Sequence, residues 1–516
     1  MKARYIAMKT SKLSRTAGLL LIAGAGTSLI AHSTACSKDS PPAAKQDTIV
    51  IGLSVSLSGD NKGVGAALRD GSQVAVNLIN SKGGVLGKRL ELSIKDDASD
   101  NSLRTDPATK QPIPNAGAIL RDSINGLLDQ KVVAILGPGA SVQLDEAQRL
   151  AYPRDDAGAT LPGAAPTLMI SAWATSPTIT TVQPPWPGRY LFRTAPSDTG
   201  QRRAMFKLMR EGSDVVDAGS EAGAEAGVGT GGGAKVGTPH PCNSPALVYG
   251  DDILGRAFNE YLGPQYTNDL KLPFLAIPAP TGESTPQTYQ DIISQLIGFK
   301  PDCIALVLYA EVAKGFIPLL KQQTRSNADF IAKKTFYIGN DALRDNDLLA
   351  QLRKATPSDG PDGMFGVIPN TQPDSGNYRE FLRIYHTQMD TVDGGGADPQ
   401  PYSTNAFDAV VLLALAMQRA GTSTDTVKVR DALIEVSRGF KGSATSGNGK
   451  TISPANLNDA FSTLSANLPI DYEGASGPVN FDNSGDVTSG YLTWKVPAGS
   501  ASYQDLITWD ATELPP

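Results

Sequence analysis

Short apolar runs alternate with helical periodicity along most of this chain, and that alternation restricts its fold more than any other feature. Runs at 49–57, 90–95, 132–136, 167–171, 246–249, 274–278, 303–309, 336–338 and 364–368 have the length and continuity of strands. Most are separated by segments with helical spacing of apolar residues, such as 63–80, 115–129, 198–211, 286–298 and 311–324. Strand, helix and strand in repetition fold as a parallel sheet with right-handed crossovers. The expected class is α/β. An early strand set (49–171), a later one (246–338) and a length beyond one common domain predict two doubly wound lobes.

Two strand-to-helix turns carry chemistry. After Val132 to Leu136, Gly137-Pro138-Gly139 breaks the strand and Ser141 stands where a helix N-cap belongs. After 167–171, Ala174-Thr175-Ser176-Pro177 reads as a second turn, with Ser176 at N-cap and Pro177 at N1. Helix N-termini offer unpaired N–H groups and positive potential, which suit a carboxylate or phosphate. Every α/β protein also needs such capped turns, so a purely structural role stands beside the ligand role.

Residues 1–35 read as an export signal. Lys2, Arg4, Lys9, Lys12 and Arg15 form a basic region ahead of a small, apolar stretch from Ala17 to Ala31, too short to span a bilayer. Ser33-Thr34-Ala35-Cys36 resembles the lipobox of bacterial lipoproteins, although Ser33 departs from the usual Leu. By that resemblance Cys36 becomes the lipidated first residue of the mature chain; cleavage by an ordinary signal peptidase is the alternative. Residues 36–46, rich in Ser, Pro and Ala, read as a tether. The chain holds 46 basic and 52 acidic residues, and the signal takes five of the basic ones, so the mature balance is 41 − 52 = −11. No basic cluster remains to favour nucleic acid, and no later stretch is long and apolar enough to cross a membrane, so lipid is the expected attachment.

A family resemblance rests on motifs in order. IVIGLSVSLSG (49–59), RDGSQVAVNLINSKGGVLGKRLEL (69–92) and Asp96-Asp97 open the series; ILGPGAS (135–141), ISAWATSP (170–177), LFRTAPSD (191–198), YGDDILG (249–255) and YIGND (337–341) continue it. DGMFGVIP (362–369), NAFDAVVLLALAM (405–417) and GPVNFDNSGD (477–486) complete it. Together they resemble a type I periplasmic binding protein, in particular the branched-chain amino-acid-binding proteins of ABC importers. The resemblance implies two lobes joined by three crossing strands, near 194–198, 368–371 and 480–484. The amino-terminal lobe would comprise 47–195 plus 370–481, and the carboxyl-terminal lobe 196–369 plus 482–516. Asp198 and Gln201, near the first crossing, read as helix-start residues.

Against that family the chain is long, and the additions read as loops: 101–114, 153–166, the Gly/Ala-rich 212–241, and 441–470 with a short helix at 455–464. The glycines of 212–241 do not form a phosphate loop, because Lys235 follows Ala234, no Ser or Thr comes next and no strand precedes it. If the family's strand order holds, Cys242 and Cys303 lie on neighbouring strands, where a disulfide would close about 60 residues and contribute roughly 4 kcal/mol. Two buried free thiols are the alternative.

The resemblance also implies a site. Ser141 and Thr175, with Ala174 contributing backbone, would hold the α-carboxylate of an amino acid, and Asp341 its ammonium; Asp341 as a plain helix-start acid is the other reading. Val64 and Leu254 replace aromatic residues that often line the family's pocket, so side-chain specificity does not carry over. Tyr309 compensates for a lost ring or packs in the core, and Trp173 lines the pocket or packs beneath it. The expected function is capture of an amino acid or related small polar molecule by hinge closure, and delivery to an ABC permease by a monomer that uses no cofactor. A ligand sensor of the same fold is the alternative. A carboxylate-based hydrolase is the third reading: the three histidines (His32, His240, His386) form no catalytic motif, and HExxH, GxSxG and Cys-x-x-Cys are missing.

Overall fold

The computed structural model describes residues 47–516 except 60, 104–110, 112, 156–160, 162–164, 212–239, 282–283, 357–359, 371–374, 394–397 and 440–448. The signal, Cys36 and the tether lie outside the described residues, as does most of the Gly/Ala-rich insertion.

Two sheets organise the chain. β1 (Thr48–Val55), β2 (Arg89–Asp96), β3 (Ala134–Leu136), β4 (Leu168–Ser171) and β5 (Leu191–Arg193) form the first, all parallel, in the order β2-β1-β3-β4-β5. The second begins with β6 (Pro245–Gly250), β7 (Leu275–Ala279), β8 (Cys303–Val307), β9 (Phe336–Gly339) and β10 (Phe365–Pro369), parallel in the order β7-β6-β8-β9-β10. A small sheet of β11 (Lys450–Ile452), β12 (Ile470–Gly474) and β13 (Gly477–Pro478) follows. β14 (Tyr491–Lys495) and β15 (Gln504–Trp509) then extend the second sheet antiparallel beyond β10. The repeated order places a switch point beside β1 in one sheet and beside β6 in the other, where crevices open at the carboxyl ends of strands.

The helices are the crossovers. α1 (Lys62–Ser81), α2 (Ala118–Asp129) and α3 (Ser141–Ala151) serve the first sheet. α4 (Asp198–Arg210), α5 (Ile253–Pro264), α6 (Pro286–Phe299), α7 (Ala310–Thr324), α8 (Ala328–Ala332) and α9 (Asn346–Ala355) serve the second. α10 (Gly376–Asp393), α11 (Ser403–Ala420), α12 (Thr426–Arg438) and α13 (Leu457–Ser465) return to the first lobe. α11 is buried on all sides from Ser403 to Met417, because α1, α12 and α13 surround it. That explains its continuous apolar sequence.

Three segments carry the chain between the sheets: 194–197, the stretch beginning at Asn370, and 479–490. They are tied together, since Arg193 N–H donates to Gly485 O (2.8 Å) and Asn370 N–H to Gly490 O (2.9 Å). Cys242 and Cys303 are joined by a disulfide at the amino ends of the paired strands β6 and β8.

Several expectations need correction. The short helix expected at 455–464 is present as α13, but the residues around it are not a polar loop: β11 and α13 bury Ile452, Leu457, Ala460 and Leu464 against the first-lobe helices. His240, placed by sequence in the flexible insertion, packs edge-on against Phe336 and bonds Lys333 O at 2.7 Å. Ser141 is not the cap of α3. Ala140 occupies that position, and Ser141 is the first helical residue. Asp198 does not cap α4 either, because Ser197 does, accepting from Thr199 N–H. Among the described residues no helix is long and apolar enough to cross a membrane.

Candidate functional site

Each side chain of the site stands just beyond the carboxyl end of a strand. β3 delivers Ala140 and Ser141, β4 delivers Trp173 and Thr175, β6 delivers Asp252 and Leu254, β8 delivers Tyr309, and β9 delivers Asp341. Ser141, Thr175, Trp173, Leu254, Tyr309 and Asp341 line one narrow cavity between the two sheets. All six are buried. A second narrow compartment shares Ala140 and Tyr309 with the first and adds Gln143 and Asp252.

At the first-sheet wall, the two turns are fastened to each other. Ser141 Oγ accepts from Ser176 N–H at 3.0 Å, which leaves the Ser141 hydroxyl proton to be donated elsewhere. Because Ala140 offers no side-chain oxygen, the first N–H groups of α3 have no side-chain cap and point along the helix axis at the cavity. Ala174 is buried, and its backbone serves the turn. Its N–H goes to Ser171 Oγ (3.1 Å), and its carbonyl accepts from Arg193 Nη1 (3.1 Å). Arg193 also binds Ser176 O (2.9 Å) and is neutralised by Asp486 at 2.7 Å, so a fully buried ion pair fixes the position of Thr175.

The opposite wall is acidic. Asp341 opens a single 3₁₀ turn after β9, and its Oδ2 accepts from Tyr402 Oη at 2.5 Å. Tyr402 belongs to the first lobe and has φ 72°, a left-handed conformation that costs a bulky residue energy and marks a position held by its surroundings. Asp198 lies nearby, its carboxylate facing the Thr175 hydroxyl and its N–H donating to Thr175 O at 2.7 Å. Burial, and next the Asp341 charge, push the Asp198 carboxyl well above its usual range. Burial also raises Asp341, against the opposing bond from Tyr402. Asp252 is pushed up to about 6 by burial, although its Oδ1 caps α5 through the N–H groups of Leu254 and Gly255 (both 2.9 Å). Two carboxylates side by side in a dry site favour any cation that enters.

The two walls touch. Ser176 Oγ donates to Ile253 O (3.0 Å), and the Trp173 and Tyr309 rings meet edge to face at 5.8 Å. Of the residues singled out by sequence, Ser141, Thr175, Leu254, Tyr309 and Asp341 converge, together with Trp173. Val64 does not: it is half-buried on the first turn of α1, outside the lining. Sequence reasoning missed Tyr402, Gln143 and Asp252 and read Asp198 as a cap. Asp252 lies inside the quoted YGDDILG motif, which was a usable signal; Tyr402, in a Pro- and Gln-rich turn, gave none.

Two family models match the chain: "Periplasmic binding protein" over residues 48–110 and "Receptor family ligand binding region" over residues 242–496. A substrate-binding protein of the chemotactic signal transduction system of Halobacterium salinarum, BasB, is 22% identical over 467 residues, 89% of each chain. The leucine-binding protein LivK of Thermotoga maritima superposes with a TM-score of 0.61 at 16% identity, covering 90% of this chain and 100% of that one. A solute-binding protein of an ABC transporter from Rhodopseudomonas palustris, bound to 3,4-dihydroxybenzoic acid, gives 0.58 at 17% identity, covering 90% and 98%. With its two switch-point sheets and the cavity between them, the chain has the type I periplasmic-binding-protein fold, like that of the leucine-binding protein it superposes on.

Proposed function

We propose that this protein captures an amino acid or a related small zwitterion between its lobes and delivers it to an ABC permease. The observation that carries this reading is the convergence of Ser141 and Thr175 from one sheet and Asp341 from the other on one buried cavity. The first-turn amides of α3, with the Ser141 and Thr175 hydroxyls, receive the carboxylate. Asp341, with Asp198 behind it, receives the ammonium by charge-assisted hydrogen bonds. A ligand held at both ends bridges the lobes, and it shifts the open–closed equilibrium only by its preference for the closed form. The ammonium displaces the Tyr402 hydroxyl from Asp341 or shares the carboxylate with it. No bond in the ligand is made or broken. On this reading residues 1–35 direct export, Cys36 carries lipid, and the chain acts as a monomer at the cell envelope.

A sensor that reports occupancy to a receptor is the second reading, favoured by the likeness to BasB. Both readings share the cavity. An aromatic monoacid fits it poorly, since it brings no cation to Asp341 and Asp198. Mass spectrometry of small molecules released on denaturing the purified protein tests the ligand class. In calorimetry with the released amino acid, Asp341→Ala is expected to weaken binding at least a hundredfold, with an unchanged circular dichroism spectrum. Unchanged affinity, or tight binding of benzoate, would refute the assignment.

A further inference from the structure

A neutral amino acid leaves the second compartment of the cavity unbalanced. Gln143, Asp252 and Tyr309 line it, all buried; Gln143 Oε1 has no hydrogen-bond partner, and the Tyr309 hydroxyl is the group that faces the Asp252 carboxylate. The orientation of Gln143 is fixed, because its Nε2 donates to Asp97 Oδ1 and to Asp100 O, both at 3.0 Å. Its carbonyl end is therefore the end presented to the cavity. Asp252 is held in the same way: Oδ1 is taken by the two amides of α5, and Oδ2 has only the Tyr309 hydroxyl beside it. Two of the three groups can only accept, and the tyrosine hydroxyl supplies a single proton.

Charge points in the same direction. Neither compartment has Lys, Arg or His in its lining among the described residues. The basic side chain nearest in sequence, Arg256, is committed to Asp251 at 2.8 Å on the surface. The α-ammonium answers Asp341 and Asp198, but nothing in a branched-chain ligand answers Asp252. A buried acceptor left unpaired is costly, and more so when it is charged.

Resting on the amino-acid reading above, we propose that the ligand carries a second cationic, hydrogen-bond-donating group on its side chain, received by Asp252, Gln143 and the Tyr309 hydroxyl. The ligand class is a basic amino acid. Its α end lies against Ser141, Thr175 and Asp341, and its alkyl stem passes Leu254 and the Tyr309 ring into the second compartment.

The test compares L-lysine and L-arginine with L-norleucine, which keeps the lysine stem and lacks its amine, by calorimetry on the full chain. Lysine or arginine is expected to bind at least tenfold more tightly than norleucine. Asp252→Asn keeps an oxygen for the α5 cap and should reduce that preference at least tenfold, as a change in the ratio of the two affinities. Norleucine or leucine bound as tightly as both basic ligands would overturn the inference while leaving the amino-acid reading intact. Equal weakening of all ligands by Asp252→Asn would overturn it too. If no α-amino acid binds, both fall together. The wild-type ratio alone decides the matter should the variant fail to fold.

Discussion

Arg193 decides where Thr175 stands. Its guanidinium gives Nη1 to Ala174 O and Ser176 O, and Nη2 to Thr180 Oγ1, while Asp486 on the third crossing segment closes the pair. The same side chain thus shapes the turn that carries Thr175 and anchors the third crossing segment. Removing it strands Asp486 and three acceptors in a dry interior. Arg193→Ala is expected to lower unfolding free energy by about 3–5 kcal/mol, measured by urea denaturation. A loss within about 0.5 kcal/mol, the range of ordinary surface substitutions, would contradict this account. None of this was legible in LFRTAPSD, where an arginine at a strand end looks like any surface cation. What the sequence did disclose at this scale were residues whose role follows from local position, such as Ser176 as a cap with Pro177 behind it.

At the scale of elements, the contact of α1 with α11 has no room for a side chain at one point. A Cβ added to Gly71 would lie 2.1 Å from Ser403 O, backbone against backbone, so neither partner can yield by changing rotamer. Gly71→Val is expected to cost about 3 kcal/mol, read as a lower midpoint in denaturant at unchanged slope. A variant as stable as the parent would mean that the helices are not so closely packed. The helices and strands themselves were legible, because burial on one face or both imprints a period on the sequence. Their ends were less so. Ser141 stands one residue inside α3 because its hydroxyl is used to fasten the neighbouring turn, a contact across 35 residues that no local rule contains.

At the scale of the whole molecule, buried carboxylates set a pH dependence. Asp252 takes a proton at about 6 in the folded protein against 3.8 for the ordinary group, and burial raises Asp198 and Asp341 as well. A raised carboxyl binds protons more tightly folded than unfolded, so its contribution is complete below pH 3.8 and is lost as pH rises through the folded value. The melting temperature of the ligand-free protein is therefore expected to fall between pH 4.5 and 7.5, and to fall less in Asp252→Asn. A flat or rising profile would mean that these groups are solvated or already paired with a cation.

The division between sequence and structure follows from the range of the forces involved. Periodicity and turn chemistry act within a dozen residues, so the strand-and-helix alternation and the two-sheet class could be read directly. The ordered motifs added the resemblance, and with it the expectation that Ser141, Thr175 and Asp341 meet, which they do at one cavity. The acidic back wall could not be read, because it assembles from Asp198, Asp252, Asp341 and Tyr402, which are scattered over some 200 residues and meet only when two sheets face each other. Desolvation is a property of that enclosure, not of any stretch of chain, and it raises these carboxyls above their ordinary range.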